Sequence, residues 1–189
     1  YETKIIRRDK TAVWILFSAT IFSDQGYIEG SIVDITQRKQ TEQALKERTD
    51  YLDKIIDAAA LSTWISDEKG TVVRANPACL EFFGATAEEV VGRYNLFKDE
   101  VLEKNGFMPD IREVFEQGKT ANLVGYYDFG AVAHVKVKNA TRKTINSIFT
   151  PITDAHGKVL NVIVQTIDLT IIKQMENDLI QSRKMESIG

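Results

Sequence analysis

The eight residues Val33-Asp34-Ile35-Thr36-Gln37-Arg38-Lys39-Gln40 return far downstream as Ile167-Asp168-Leu169-Thr170-Ile171-Ile172-Lys173-Gln174. Each copy closes an apolar alternating run, the pattern of a half-buried strand, and each opens a stretch of helix formers. With Asp34 set on Asp168, Lys39 falls on Lys173, Glu42 on Glu176 and Leu45 on Leu179. Upstream, Phe17 to Gly26 matches Ile148 to Gly157, in both cases an apolar run that meets an Asp and a Gly at a turn. An ordered series of this kind marks a duplicated hairpin-then-helix unit. The fold must therefore be one in which antiparallel strands feed helices twice.

The two copies are unequal. Only Tyr1 to Arg8 precedes the first hairpin, enough for one strand. Three strands alone do not bury a two-sided core, so residues 1–38 are expected to be the closing strands of a domain that begins outside the chain. The chain has no initiating Met and breaks off in mid-pattern at Ser187-Ile188-Gly189, as a piece of a longer protein would. Thr36 to Ala60 contains no Gly or Pro and predicts a helix, with 39–58 as a linker. Leu45, Leu52, Ile55 or Ile56, and Ala59 form a short heptad-like stripe on it, renewed after the second copy by Ile172, Met175 and Leu179. That stripe suits a parallel coiled coil between two chains, or else a helix packed on its own domain.

The second unit reads as complete over 59–170. Ser62 to Ser66 and Thr71 to Arg74 predict two strands around the turn Asp67-Glu68-Lys69-Gly70. Asn76-Pro77 starts a helix that carries Cys79, Leu80, Phe82 and Phe83 and stops at Gly84. Thr86-Ala87-Glu88-Glu89 is a capping box for a second short helix. Pro109 to Gly118 predicts a third, and strands follow near Asn122–Phe129, Lys143–Thr153 and Val159–Ile167. Strands, several helices, then antiparallel strands make an α+β layout.

Composition narrows the function. A net charge of −3 with both signs interspersed gives no footprint for nucleic acid. One cysteine rules out an intramolecular disulfide and any cysteine-cluster metal site. The longest apolar run, Ala12 to Phe17, is too short for a bilayer, and no signal peptide is visible, so a cytoplasmic location is expected for this segment, in a parent either soluble or anchored to a membrane elsewhere. No nucleophile triad, phosphate loop or metal-ligand spacing occurs; catalytic and metal residues are expected to be none.

The ordered motifs resemble a PAS domain. Gly70 to Cys79 is similar to the strand–Asn–helix opening of that family, Phe83 to Arg93 to its Gly and Thr-x-Glu-Glu segment, and Asp168-Leu169-Thr170 to its closing Asp-Ile-Thr. Residues 1–38 resemble the end of a preceding PAS domain. Gln181 to Gly189 resembles the entry to the dimerisation helix of sensor histidine kinases, with the phosphoacceptor histidine further on. The resemblance implies a five-stranded antiparallel sheet with short helices on one face, flanked by long signalling helices. It implies a non-catalytic sensory and relay module of a two-component histidine kinase, whose segment 171–189 leads to a kinase core outside the chain. A homodimer through the helices and, indirectly, a response regulator are the expected partners. The alternatives are another output, such as a cyclase or phosphodiesterase, or a PAS core that binds a redox cofactor.

The flavin-adducting cysteine of light-sensing relatives would fall in Gly92 to Phe97, which has none, and Cys79 reads as a small buried apolar residue. The helix that carries an axial histidine in haem-binding relatives, Asp110 to Phe115, has no His. Neither haem nor covalent flavin is expected; His134 and His156 read as solvated. An unidentified small ligand would sit in a core pocket lined by Trp64, Val73, Leu80, Phe83, Phe97, Val114, Phe115, Tyr126, Ile148 and Val164, with Asn76, Tyr94, Tyr126 and Asn146 as polar tips. The same side chains would equally fill a plain core. Asp34, Thr36, Asp168 and Thr170 are expected to join strand to relaying helix.

Overall fold

The structure, a computed structural model, describes the backbone of residues 1–186 and side chains to residue 183. The chain divides into two compact units, Tyr1–Lys54 and the residues from Ile55 onward.

The first unit is an antiparallel sheet of β1 (Glu2–Ile6), β2 (Ala12–Phe22) and β3 (Tyr27–Asp34), with β2 central. It turns into α1 (Thr36–Ala58), a 23-residue helix with no buried residue. Val13, Ile15 and Ile35 are buried, but Ile21, Ile28 and Ile32 remain 72%, 67% and 65% exposed. Burial is thus confined to the start of β2 and to Ile35 just past β3, and every residue of β3 itself is exposed.

The second unit begins with β4 (Ser62–Asp67) and β5 (Val72–Ala75). The helices α2 (Pro77–Phe83) and α3 (Ala87–Val90) follow, then a 3-10 turn at Leu96–Lys98, α4 (Glu100–Lys104) and α5 (Met108–Gln117). Next come β6 (Ala121–Asp128), β7 (Arg142–Thr153), β8 (Val159–Asp168) and the closing helix α6 (Thr170–Glu186). The five strands are all antiparallel in the order β5-β4-β8-β7-β6, so the last strand lies beside the first and closes the sheet's middle. One face of this sheet supplies Trp64, Val72, Tyr127, Ile145, Phe149, Val162 and Val164 to the core. The helices answer with Cys79, Val90, Leu102, Ile111 and Val114, and Leu96 adds to them from its turn. Ile111 and Val114 are fully buried on the apolar stripe of α5.

Local signals act where the chain changes direction. Asn76 caps α2 by accepting the Cys79 N–H at 2.8 Å, with Pro77 at the first helical position. Gly84 ends α2 at φ +67°, and a Cβ there would lie 1.9 Å from the Asn139 carbonyl oxygen. Both the turn and the close approach demand glycine. Glu89 accepts the Thr86 N–H at 2.9 Å to complete the expected capping box. Helix α4 was not legible in advance; five residues are too few for a periodic signal.

The junction repeat is a repeat of register, whereas upstream the register sets Phe17 on Ser147, one residue from the sequence match with Ile148, and a bulge interrupts the β7–β8 pairing at Ile152/Thr153. Ile15 pairs with Asp34 across β2 and β3, and Ile145 with Asp168 across β7 and β8. Lys4 pairs with Trp14 as Tyr126 pairs with Thr144. The strands β1-β2-β3 therefore reproduce the β6-β7-β8 corner of the second unit.

Candidate functional site

Between the sheet and α2–α4 the second unit forms a partly open cavity of about 60 Å³. That is under half of the ~150 Å³ that admits a benzene ring in an engineered apolar cavity. Trp64, Leu80, Phe83, Tyr94 and Val164, all expected in a pocket, face it. Val72, Cys79, Leu102, Tyr127, Phe129 and Ile145 complete most of the wall, with Ser147 and Thr166 as a hydroxyl pair 2.9 Å apart.

The other expected lining residues lie elsewhere, and parity accounts for three of them. Val73 is 48% exposed while Val72 lines the cavity; Tyr126 is 56% exposed while Tyr127 lines it. Ile148 is 40% exposed, and Ile145 and Ser147 of the same strand face inward. Alternate residues of a strand point to opposite faces, so a shift of one moves a side chain across the sheet. Asn146 lies on the parity of Ile148, its Oδ1 buried without a partner. Phe97 and Phe115 pair with each other at 4.9 Å, and Val114 is buried in the main core outside the cavity wall. Asn76 is fully buried but turned to backbone. Its Oδ1 accepts from Thr63 N–H and Cys79 N–H, and its Nδ2 faces the carbonyls of Ile56, Ala59 and Leu61 at 3.2, 3.1 and 2.9 Å. It is a knot between the end of α1, β4 and α2.

A polar cluster at the cavity wall escaped the sequence reading. Asp99, 1% exposed, caps α4 through the N–H groups of Val101 and Leu102 at 2.8 and 3.2 Å. Its other oxygen accepts from the Tyr94 hydroxyl at 2.6 Å and from the Tyr127 hydroxyl. Burial, joined by the Asp99 carboxylate, pushes both tyrosines well above the usual range, and the Tyr127 phenol adds to the rise at Tyr94. Only the N-cap position of Asp before Glu-Val-Leu could have signalled this residue. Burial also pushes the Cys79 thiol up to about 11, which makes it a poor nucleophile. His134, expected in solvent, is instead half-buried: its Nε2 accepts the Asn95 N–H at 2.9 Å and its ring stacks on Tyr94. Among the described residues no three His, Cys, Asp or Glu gather as a metal site would require.

The strand-to-helix junctions are built alike in both units. Asp34 Oδ1 accepts the Thr36 N–H at 2.9 Å, and the Thr36 hydroxyl accepts the Trp14 N–H at 2.9 Å. Asp168 Oδ1 accepts the Thr170 N–H at 2.8 Å, and the Thr170 hydroxyl accepts the Thr144 N–H at 3.0 Å. Each aspartate also pairs with a cation of its own unit, Arg7 at 2.6 Å and Lys143 at 2.9 Å. Hydrogen bonding from Thr36 lowers the Asp34 carboxyl. Partial burial would raise that of Asp168, but the bonds from Thr170 and Lys143 prevail and hold it at about 2. The Lys143 ammonium lies 4.2 Å from the centre of the Phe82 ring on α2. One cation thus touches both the helix that walls the cavity and the aspartate that starts α6.

A five-stranded antiparallel sheet with helices on one face, a small core cavity and a strand clasped to an exit helix is the architecture of a PAS module. The chain belongs to the PAS domain family, whose sequence model matches residues 60–170, more than half of it. It is 34% identical over 59 residues to the virulence sensor protein BvgS of Bordetella pertussis, which covers 31% of this chain and 5% of BvgS. It is 22% identical over its whole length to the sensor kinase CckA of Brucella abortus, of which it spans 20%. The chain thus spans only a small part of the curated relatives it matches. Among solved structures, an RNA-binding light-oxygen-voltage receptor shares the fold at a TM-score of 0.56 and 19% identity, over 74% of this chain and 37% of that one.

Proposed function

We propose that the chain is the sensory and relay module of a two-component sensor histidine kinase. Its PAS core takes up a very small ligand or a protein contact and passes the change through α6 to a kinase core. The observation that carries this reading is the continuous path from the cavity wall, through Phe82, Lys143, Asp168 and Thr170, to the first turn of α6. Kinship with proteins named as a virulence sensor and a sensor kinase supports it. No helix among the described residues is long and apolar enough to cross a membrane; a cytoplasmic place for the module accords with that. Residues 1–38 act as the closing strands of a second PAS domain, a reading supported by their shared register and junction. The stripes Leu45-Leu52-Ile55 and Ile172-Met175-Leu179, each 49% exposed or more, serve dimerisation.

The test is autophosphorylation of the parent protein carrying Asp168→Ala. The relay requires that basal autophosphorylation, or its response to stimulus, change severalfold. Wild-type values for both would count against it.

A further inference from the structure

The segment between β6 and β7 closes one side of the core by seating Phe129, Val132 and Val135, each buried. Its middle is held by His134. Because Nε2 accepts the Asn95 N–H, the neutral ring must carry its proton on Nδ1, and Nδ1 is buried with no partner. The ring lies against Tyr94, centroids 5.3 Å apart and planes 29° from parallel. Tyr94 lines the cavity and donates to Asp99. Closed, this contact needs an unprotonated imidazole and already leaves one donor unmet.

We propose that His134 is a proton-operated latch, so that protons are an input of this PAS module. Protonation places a second N–H on Nε2, aimed at the N–H of Asn95. Two donors then face each other, and the 2.9 Å bond is lost. The charged and titratable groups near the ring include Glu100 of α4, which also interacts with Lys104 of the same helix, and the Tyr94 phenol, with Asp99 and Tyr127 behind that phenol. Glu100 interacts electrostatically with His134, and its Oε2 accepts the Ala133 N–H at 3.4 Å. It offers the imidazolium a carboxylate one step outside the latch. Swinging towards Glu100 withdraws the ring from Tyr94 and frees the segment that covers the core. The inference deepens the sensory reading above and rests on it for its output, not for the latch.

The experiment is amide exchange of this chain, corrected for the intrinsic effect of pH, at about pH 7.5 and about pH 5.5, the span that charges an ordinary imidazole. Protection of Asn95 and of residues 129–141 should fall about tenfold or more in the wild type. In His134→Gln, whose amide oxygen accepts the same N–H but takes no proton, it should change less than about twofold. No loss in the wild type, or equal loss in both, overturns the latch. Should His134→Gln fail to fold, the Asn95 amide shift must follow the His134 titration in the wild type; a flat shift overturns the latch as well. A working latch beside a parent kinase whose autophosphorylation ignores pH would instead overturn protons as an input and leave the ligand or contact reading to its own test.

Discussion

At the scale of single residues, the second unit spends its buried polarity on connections. Asn76 satisfies groups from three elements, and Asp99 holds two phenols and a helix start. Buried polar atoms are costly when unpaired, so such knots specify geometry as much as they stabilise it. The raised tyrosines carry a pH consequence. Up to about pH 10, the ordinary phenol value, both states hold these protons and stability is unaffected. Above it the unfolded chain sheds protons that folded Tyr94 and Tyr127 keep, so stability falls as pH climbs towards their raised values. Urea midpoints between about pH 9 and about pH 11 should fall for the wild type and fall less for Tyr127→Phe. That variant should also lose about 1–3 kcal/mol at neutral pH, because Asp99 is left short of a donor in the core. Equal slopes for the two proteins would remove the cluster from this account.

At the scale of elements, the junctions are the most informative parts. The repeated Asp-x-Thr was visible in the sequence because both halves of the clasp are local: each Asp binds the N–H two residues on. The cations were not visible, since Arg7 follows β1 and Lys143 lies in β7, both distant in sequence from their aspartates. The acid limit of the second junction follows from its pKa. Held near 2 in the folded state against an ordinary 3.8, Asp168 lends stability that is complete above about pH 4 and is lost as pH falls towards 2. Exchange at the Thr170 amide should quicken through that window beyond the intrinsic trend, and Asp168→Asn should abolish the extra change. A Thr170 amide that follows the intrinsic trend alone would contradict the clasp.

Apart from α4, element order was legible by the same reasoning: alternation marked the strands, Asn76-Pro77 and Thr86-x-x-Glu89 marked helix starts, and glycines marked their ends. Strand facing was harder. Each inverted position sits in a doublet, Val72-Val73, Tyr126-Tyr127 or Ile148-Phe149, where both parities are apolar and alternation carries no sign. Only pairing against β4, β7 and β8 decides which member turns inward. His134 and Asp99 were out of reach for another reason. Their partners Asn95 and Tyr127 lie 39 and 28 residues away, and no periodic pattern links them.

At the scale of the whole chain, one β-to-helix exit is used twice, once in each unit. The cavity is too small to hold a drug-sized ligand as it stands, so the proposed input is a very small ligand or a protein contact. Under the proposed reading, a signal that moves α2 against β7 would reach Lys143, which lies on the Phe82 ring and pairs with Asp168. Any coupling must bias a two-state element, and the clasp at Thr170 is the element placed to respond. Replacing Phe83, on the cavity wall beside Phe82, with Leu perturbs the wall while leaving the clasp intact. The decisive measurement is amide exchange of Phe83→Leu at Leu169 and Thr170, with Ile35 and Thr36 as built-in references that make the same bonds in the first unit. Exchange should quicken by about fivefold or more at Leu169 and Thr170 and stay unchanged at Ile35 and Thr36. Unchanged exchange at Leu169 and Thr170, or an equal rise at all four, would contradict a relay from cavity to helix.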